Sequence, residues 1–223
     1  MTVENFNWVR KPVTDKRFKK LINAIKLNSN FEKGPWIAGG CVRKMWQNLD
    51  WHNRDVDIFF NSRSQFKSFI DSKVINTKAS NDAISVPIIS RIVDNIQCYI
   101  KHESDNAITY KVIIHNMLSS NTYSVQAIKK CFFESASDVV ASFDFTVCQM
   151  ISDGNNMWAT PSAIESLEQN KISVSAEFNA DVKPLRAIKY MSYGFEIDDT
   201  MYINMLDEIE TTKCIVREAE DDY

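Results

Sequence analysis

The 223-residue chain has little of what breaks or staples a backbone, with only 5 glycines, 5 prolines and 5 cysteines. So little glycine and proline excludes a fibrous or linker-rich protein. The cysteines, at 41, 98, 131, 148 and 214, are odd in number and form no Cys-x-x-Cys pair. That excludes a disulfide framework and a zinc ribbon and fits a reducing cytoplasm. The three histidines, His52, His102 and His115, lack the i,i+4 spacing of a helical zinc site. No run of apolar residues is long enough to cross a bilayer, and the first residues carry no basic segment followed by an apolar one. The expectation is a soluble cytoplasmic protein with no membrane partner. Charge is nearly balanced, 26 Lys and Arg against 29 Asp and Glu, for a net charge of -3. A surface that coats nucleic acid throughout is thereby excluded, and a local basic patch is not.

What is present is hydrophobic residues at 44% and charged residues at 25%, enough for one substantial core. Phe18, Leu21, Ile22, Ile25 and Leu27 recur at helical spacing and predict a first helix from Thr14, its expected cap, to about Asn28. Trp36-Ile37-Ala38, Gly39-Gly40 and Cys41 to Asn48 read as strand, glycine turn and helix. Asp55 to Phe60 alternates as a strand, and Ser64 to Ile70 carries a helical stripe. Residues 84 to 101 and 109 to 115 predict strands, Ser124 to Phe132 a helix, and Phe143 to Ile151 an apolar strand interrupted by one aspartate. After the turn Asp153 to Asn156 come a short strand with Met157 and Trp158, then three expected helices at Pro161 to Gln169, Val182 to Tyr193 and Asp198 to Ile209. Gly194 stands where a helix-terminating glycine belongs. The pattern predicts an α+β fold, with a catalytic head over 1–155 and a helical region over 156–223 ending in an acidic tail. Arg10, Lys11, Lys16, Arg17, Lys19 and Lys20 crowd the first helix, either as a solvated face or as a contact for a phosphate backbone.

Gly39 and Gly40 sit where backbone N–H groups and the positive end of a helix dipole can meet an anion. Asp55 and Asp57, two apart on a strand, project from one face. Two carboxylates that close repel unless a cation lies between them, and hard oxygen ligands select Mg²⁺ or Mn²⁺. Asp144 lies inside an apolar segment, where a carboxylate needs a partner. Taken alone it suits a bond to backbone or to an arginine; taken with the other two acids it reads as a third metal ligand.

Together these residues resemble the class II CCA-adding tRNA nucleotidyltransferases and bacterial poly(A) polymerases of the DNA polymerase beta superfamily. Ala38-Gly39-Gly40-Cys41-Val42-Arg43 resembles the family's glycine motif, and Arg54-Asp55-Val56-Asp57-Ile58 its metal-binding strand. Asp144-Phe145-Thr146-Val147 is similar to its second signature, and Pro184-Leu185-Arg186-Ala187-Ile188-Lys189-Tyr190 to its neck helix. The resemblance implies a mixed-sheet head with a helical neck and a metal held by Asp55, Asp57 and Asp144. It implies nucleotide contacts from Gly39, Gly40, Arg43, Arg54, Lys183, Arg186 and Lys189. The activity implied is transfer of a nucleoside monophosphate from an NTP to an acceptor hydroxyl, with an RNA (tRNA-like) 3′ end as the favoured acceptor. A protein side chain and a non-catalytic nucleotide-binding module are the alternatives. Val182-Lys183 replaces the acidic pair that precedes Pro-Leu-Arg in that family, so a strict CTP-then-ATP order is not expected unless Asp181 completes the pair.

Overall fold

The computed structural model describes residues 6–73, 96–116, 119–175 and 184–197. Lys183 and the expected helix at Asp198 to Ile209 lie outside them, as does the acidic tail. In chain order the elements are β1 (Val9–Pro12), α1 (Lys16–Ala24), β2 (Trp36–Ala38), α2 (Gly40–Trp46), β3 (Asp55–Phe59) and α3 (Arg63–Lys73). Then come β4 (Ile96–Glu103), β5 (Ala107–His115), β6 (Ser120–Ile128), α4 (Ala136–Ala141), β7 (Met150–Ser152) and β8 (Asn156–Ala159). The described chain closes with α5 (Pro161–Glu168), β9 (Lys171–Ile172), α6 (Pro184–Met191) and β10 (Glu196–Ile197).

Among the described residues eight strands form one mixed sheet in the order β1-β8-β7-β2-β3-β6-β5-β4, and β9 pairs with β10 in a second. Within the large sheet β3 and β6 run parallel, while its other paired strands run antiparallel. The fold is α+β, as expected. One face of the sheet carries the main core. Val56 and Ile58 of β3, Tyr110, Val112 and Ile114 of β5, and Tyr123 and Val125 of β6 pack there with Phe18 and Leu21 of α1 and Val42 of α2. Removing that apolar surface from water is the main drive for the layer to form. On the opposite face α4 covers Trp36, Ala38 and Phe59. A third cluster joins Phe145, Val147 and Cys148 to Ala187, Tyr190 and Phe195 around α6.

Several expectations need correction. Asp15, not Thr14, caps α1, accepting from the amides of Arg17 at 2.7 Å and Phe18 at 3.0 Å. The segment at Ser124 to Phe132 is not a helix: it falls largely within β6, where Tyr123, Val125 and Ala127 are buried and Ser124 and Gln126 only partly so. Ala127-Ile128-Lys129-Lys130 suits a helix locally, but hydrogen bonding on both sides to β3 and β5 overrides that propensity. The apolar run from Phe143 is not one strand either. A single 3-10 turn at Thr146–Cys148 precedes β7, and Ser175 donates its amide to the Asp144 carbonyl at 2.8 Å. A run apolar at every position carries no period, and burial from all sides suits a tucked turn as well as a strand. The expected boundary near 155 falls inside the β7–β8 hairpin, since β8 is bonded between β7 and β1.

Asp15 also accepts the indole N–H of Trp51 at 2.9 Å. Burial pushes its carboxyl up, but the bonds from Trp51 and from the Phe18 and Arg17 amides, with the Arg17 charge, bring it below its ordinary value. An Asp15→Ala variant is expected to lose about 1–3 kcal/mol of stability, read from urea unfolding at neutral pH. Because the folded carboxyl is depressed, the advantage of wild type over Asp15→Asn is present above the ordinary aspartate range and fades as pH falls through the depressed one.

Candidate active site

Strand β2 runs antiparallel to β3, with Ala38 opposite Asp57, so the chain leaving β2 turns beside that carboxylate. Gly39 makes the turn at φ 83° and ψ −150°, a region that only glycine adopts without strain. A Cβ added there would lie 3.4 Å from Asp57 Oδ2, whereas one added at Gly40 would meet nothing within 4 Å. The turn feeds α2, whose first residues lack a side-chain cap and present their amides at the end of β2.

Asp55 and Asp57 both line a cleft of ≈ 410 Å³, which they share with Gly39, Gly40, Arg186 and Lys189. Val56 between them is fully buried on the opposite face. Asp55 is exposed and Asp57 partly buried. Burial first, and the Asp55 charge second, push the Asp57 carboxyl up to about 7 against the pull of Lys189 and Arg186. A cation placed between the two acids would relieve that repulsion, and the all-oxygen donor pair fits Mg²⁺ or Mn²⁺.

Asp144 meets the cleft through Arg186. Its Oδ2 accepts from Nε of Arg186 at 2.7 Å and its Oδ1 from the Phe145 amide at 3.0 Å. Burial raises its pKa, and Arg186 and backbone N–H groups oppose the rise. Among the described residues no three acid, cysteine or histidine side chains converge as metal ligands. Asp55 and Asp57 line the cleft directly, and Asp144 holds the half-exposed Arg186 that lines it with them.

The other two arginines expected at the nucleotide, Arg43 and Arg54, are also engaged. Arg43 is only 4% exposed. Its guanidinium packs against the rings of Phe195, Tyr190 and Tyr193 at 5.3, 5.6 and 5.7 Å, and Nη1 donates to Gln47 at 3.2 Å. Arg54 stacks on Tyr193 at 4.5 Å and donates to its hydroxyl at 2.6 Å. Tyr193 is thus flanked by both cations, a favourable use of the ring quadrupole. These aromatics went unassigned in the sequence reading. The signal was available in the spacing Tyr190, Tyr193, Phe195 directly after Arg186, but nothing local says which cation they will meet. Cys148, also on the cleft wall, shares a 2.7 Å hydrogen bond with the Tyr190 hydroxyl, and burial pushes its thiol up to about 11.

Comparison with known proteins gives two results of different reach. The model of the Gabija anti-defense 2 family matches residues 12–170. This chain belongs to the Gabija anti-defense 2 family. The matched span runs from β1 through α5 and contains Asp55 and Asp57. No curated protein matches the chain. Among solved structures this Gabija anti-defense 2 family protein is similar to the Thermotoga maritima CCA-adding enzyme complexed with tRNA (15% identity, TM-score 0.52, 91% of this chain and 46% of that one). It is also similar to a CCA-adding enzyme complexed with ATP (15% identity, TM-score 0.57, 91% and 46%) and to an apo form (13%, 0.54, 94% and 48%). The chain thus spans just under half the length of these enzymes. At such identity the likeness shows a nucleotidyltransferase-type fold, and the family that matches by sequence is Gabija anti-defense 2, not the CCA-adding enzymes.

The raised Asp57 carboxyl makes a sign prediction. Between the ordinary aspartate range and about pH 7 the folded chain keeps a proton there that the unfolded chain releases, so stability falls as pH rises through that window. In EDTA at pH 8, Asp57→Asn is expected to be more stable than wild type by on the order of 1–2 kcal/mol, with the gap closing toward pH 4. Urea midpoints across pH check this; a constant gap would show that Asp57 ionises normally.

Proposed function

We propose that this Gabija anti-defense 2 family protein is an NTP-dependent nucleotidyltransferase. The observation that carries the reading is that Asp55 and Asp57 line one cleft together with Arg186, Lys189 and the Gly39-Gly40 turn, with both cations acting on the Asp57 carboxyl. Asp55 and Asp57 would hold a divalent cation, which when bound supplies charge neutralisation for phosphoryl transfer. Gly40 leaves open space beside α2, so a triphosphate oxygen can approach the backbone amides there. Arg186, held at Nε by Asp144, and Lys189 offer positive charge to the phosphates across the cleft. Tyr190 and Tyr193 add ring surface to the cleft.

The reaction is balanced simply. The acceptor hydroxyl oxygen forms a bond to the α-phosphorus, the bond from that phosphorus to the β-phosphate bridging oxygen breaks, pyrophosphate leaves, and the hydroxyl proton is released. An RNA 3′ end is the acceptor favoured by the resemblance, and the CCA-adding relatives in fold are described with tRNA, ATP and CTP. The anti-defense family description does not require that acceptor to be tRNA, and a role against the Gabija defence is compatible with transfer to another target.

The test is incubation with each of the four α-labelled NTPs, Mg²⁺ and either total RNA or lysate. Label is expected on a macromolecule, with Asp55→Asn and Asp57→Asn each lowering transfer at least ~100-fold while circular dichroism stays unchanged. Wild-type turnover by Asp57→Asn would refute the reading. More than one NTP is expected to serve, because Val182 and Lys183 stand directly before Pro184 where the resembled family has its acidic pair, and Asp144 already takes Nε of Arg186. Exclusive use of CTP and then ATP would contradict that expectation.

A further inference from the structure

A second cavity of ≈ 270 Å³ lies beside the first and shares Asn53, Arg54 and Asp55 with it. Among the described residues, three cations, Arg54, Lys101 and Lys111, and one acid, Asp55, line it, together with His52 and the hydroxyl-bearing Thr122, Tyr123 and Ser124. Among the described residues, His52 Nδ1 and Arg54 Nε are enclosed and have no hydrogen-bond partner. This basic, hydroxyl-rich lining is absent from the proposed mechanism so far.

Sheet register explains how the cavity reaches the carboxylates. Asp55 of β3 is opposite Ser124 of β6, Ser124 is opposite Lys111 of β5, and Lys111 is opposite Tyr99 of β4. Residues opposite one another in neighbouring strands share a face, so these four form a row across the sheet, on the side away from the main core. At the usual strand spacing Lys111 is about 10 Å and Tyr99 about 15 Å from Asp55 along that row. The neighbouring row is Asp57, Gln126, Thr109 and His102. Lys101 stands at the irregularity in the β4–β5 pairing, between Ile100 and His102, and is exposed.

Phosphoryl transfer adds a geometric demand. Attacking and leaving oxygens lie on opposite sides of the phosphorus, so the acceptor must come to the carboxylates from the side away from the triphosphate. The larger cleft has the glycine turn, Arg186 and Lys189 for the triphosphate; the smaller one meets it at Asp55. We propose that the row Ser124, Lys111, Tyr99, with Lys101 and His52, is the docking track for the acceptor, and that the acceptor is a single-stranded nucleic acid with its 3′ hydroxyl at Asp55. A protein side chain has no repeating negative charge to satisfy three cations, whereas a phosphodiester strand does. Tyr99 adds a ring on which a base can stack. This assignment rests on the nucleotidyltransferase reading for the position of the 3′ end, but strand binding itself does not require catalysis.

The test measures binding and transfer separately. A fluorescein-labelled single-stranded RNA of about ten nucleotides with a free 3′ hydroxyl is titrated with the full chain and followed by anisotropy at several salt concentrations. Lys101→Ala/Lys111→Ala is expected to bind it at least ~10-fold more weakly, with the log–log salt slope smaller by about 1.4, the share of two phosphates. Binding of fluorescent ATP with Mg²⁺ and the thermal midpoint should stay at wild-type values, and Lys111→Arg should restore most of the affinity. In transfer assays the double variant should raise the KM for the RNA and leave kcat near wild type. Equal RNA binding by wild type and double variant overturns the track. So does a wild type that binds no RNA while labelling a protein in lysate. If wild type binds RNA through these lysines but transfers nothing from any NTP, the catalytic reading fails and the strand site stands.

Discussion

The contact on which the site depends is the insertion of Arg43 among Tyr190, Tyr193 and Phe195. Arg43 rides on α2, directly after the glycine turn, and the three rings belong to α6 and the residues that follow it. A buried guanidinium is costly unless it is surrounded by groups that replace its hydration; here aromatic faces and the Gln47 carbonyl do so in part, and Nε is enclosed without a partner among the described residues. Because this packing fastens α6 across the end of the sheet, Arg186 and Lys189 come to face the acids of β3. Arg54 repeats the arrangement from the next loop by meeting the same Tyr193.

That fastening sets the electrostatics. Burial first, and the charge of Asp55 second, disfavour the ionised Asp57, which holds its proton up to about 7. The opposing cations reduce the penalty without cancelling it, so the cleft retains a demand for positive charge. Asp144 acts at one remove. By taking Nε of Arg186 it fixes one edge of the guanidinium, and the mostly buried position of the acid makes that bond less exposed to competition from water. The same residue that reads in sequence as a metal ligand serves in the structure to orient an arginine.

Residues whose meaning is local were legible from the sequence. A glycine pair between an apolar strand and a helix, and two aspartates two apart on an alternating strand, declare both their element and their face. The structure puts them around one cleft. Residues whose meaning depends on a distant partner were not legible. β6 is a strand because β3 and β5 flank it, and Lys129-Lys130 at its end give no sign of that. The burial of Arg43 depends on rings far along the chain, and the partner of Asp144 comes from α6. Thr14 and Asp15 are both good caps in sequence, and the Trp51 indole, far along the chain, is what distinguishes Asp15.

The parallel pairing of β3 with β6 bears on when the site can exist. Asp55 and Ser124 are neighbours in the sheet, yet α3, β4 and β5 intervene in the chain between them. Closing so long a loop is slow and must precede the reward of the contact. During synthesis, a chain that has emerged only through β5 already carries both aspartates, the glycine turn and Lys111. It still lacks the strand that sets β3 beside β5, and it lacks α6. The carboxylates therefore acquire their cationic opposite wall only once α6 has emerged, so a ribosome-bound intermediate holds the acids of the site before it can grip a nucleotide.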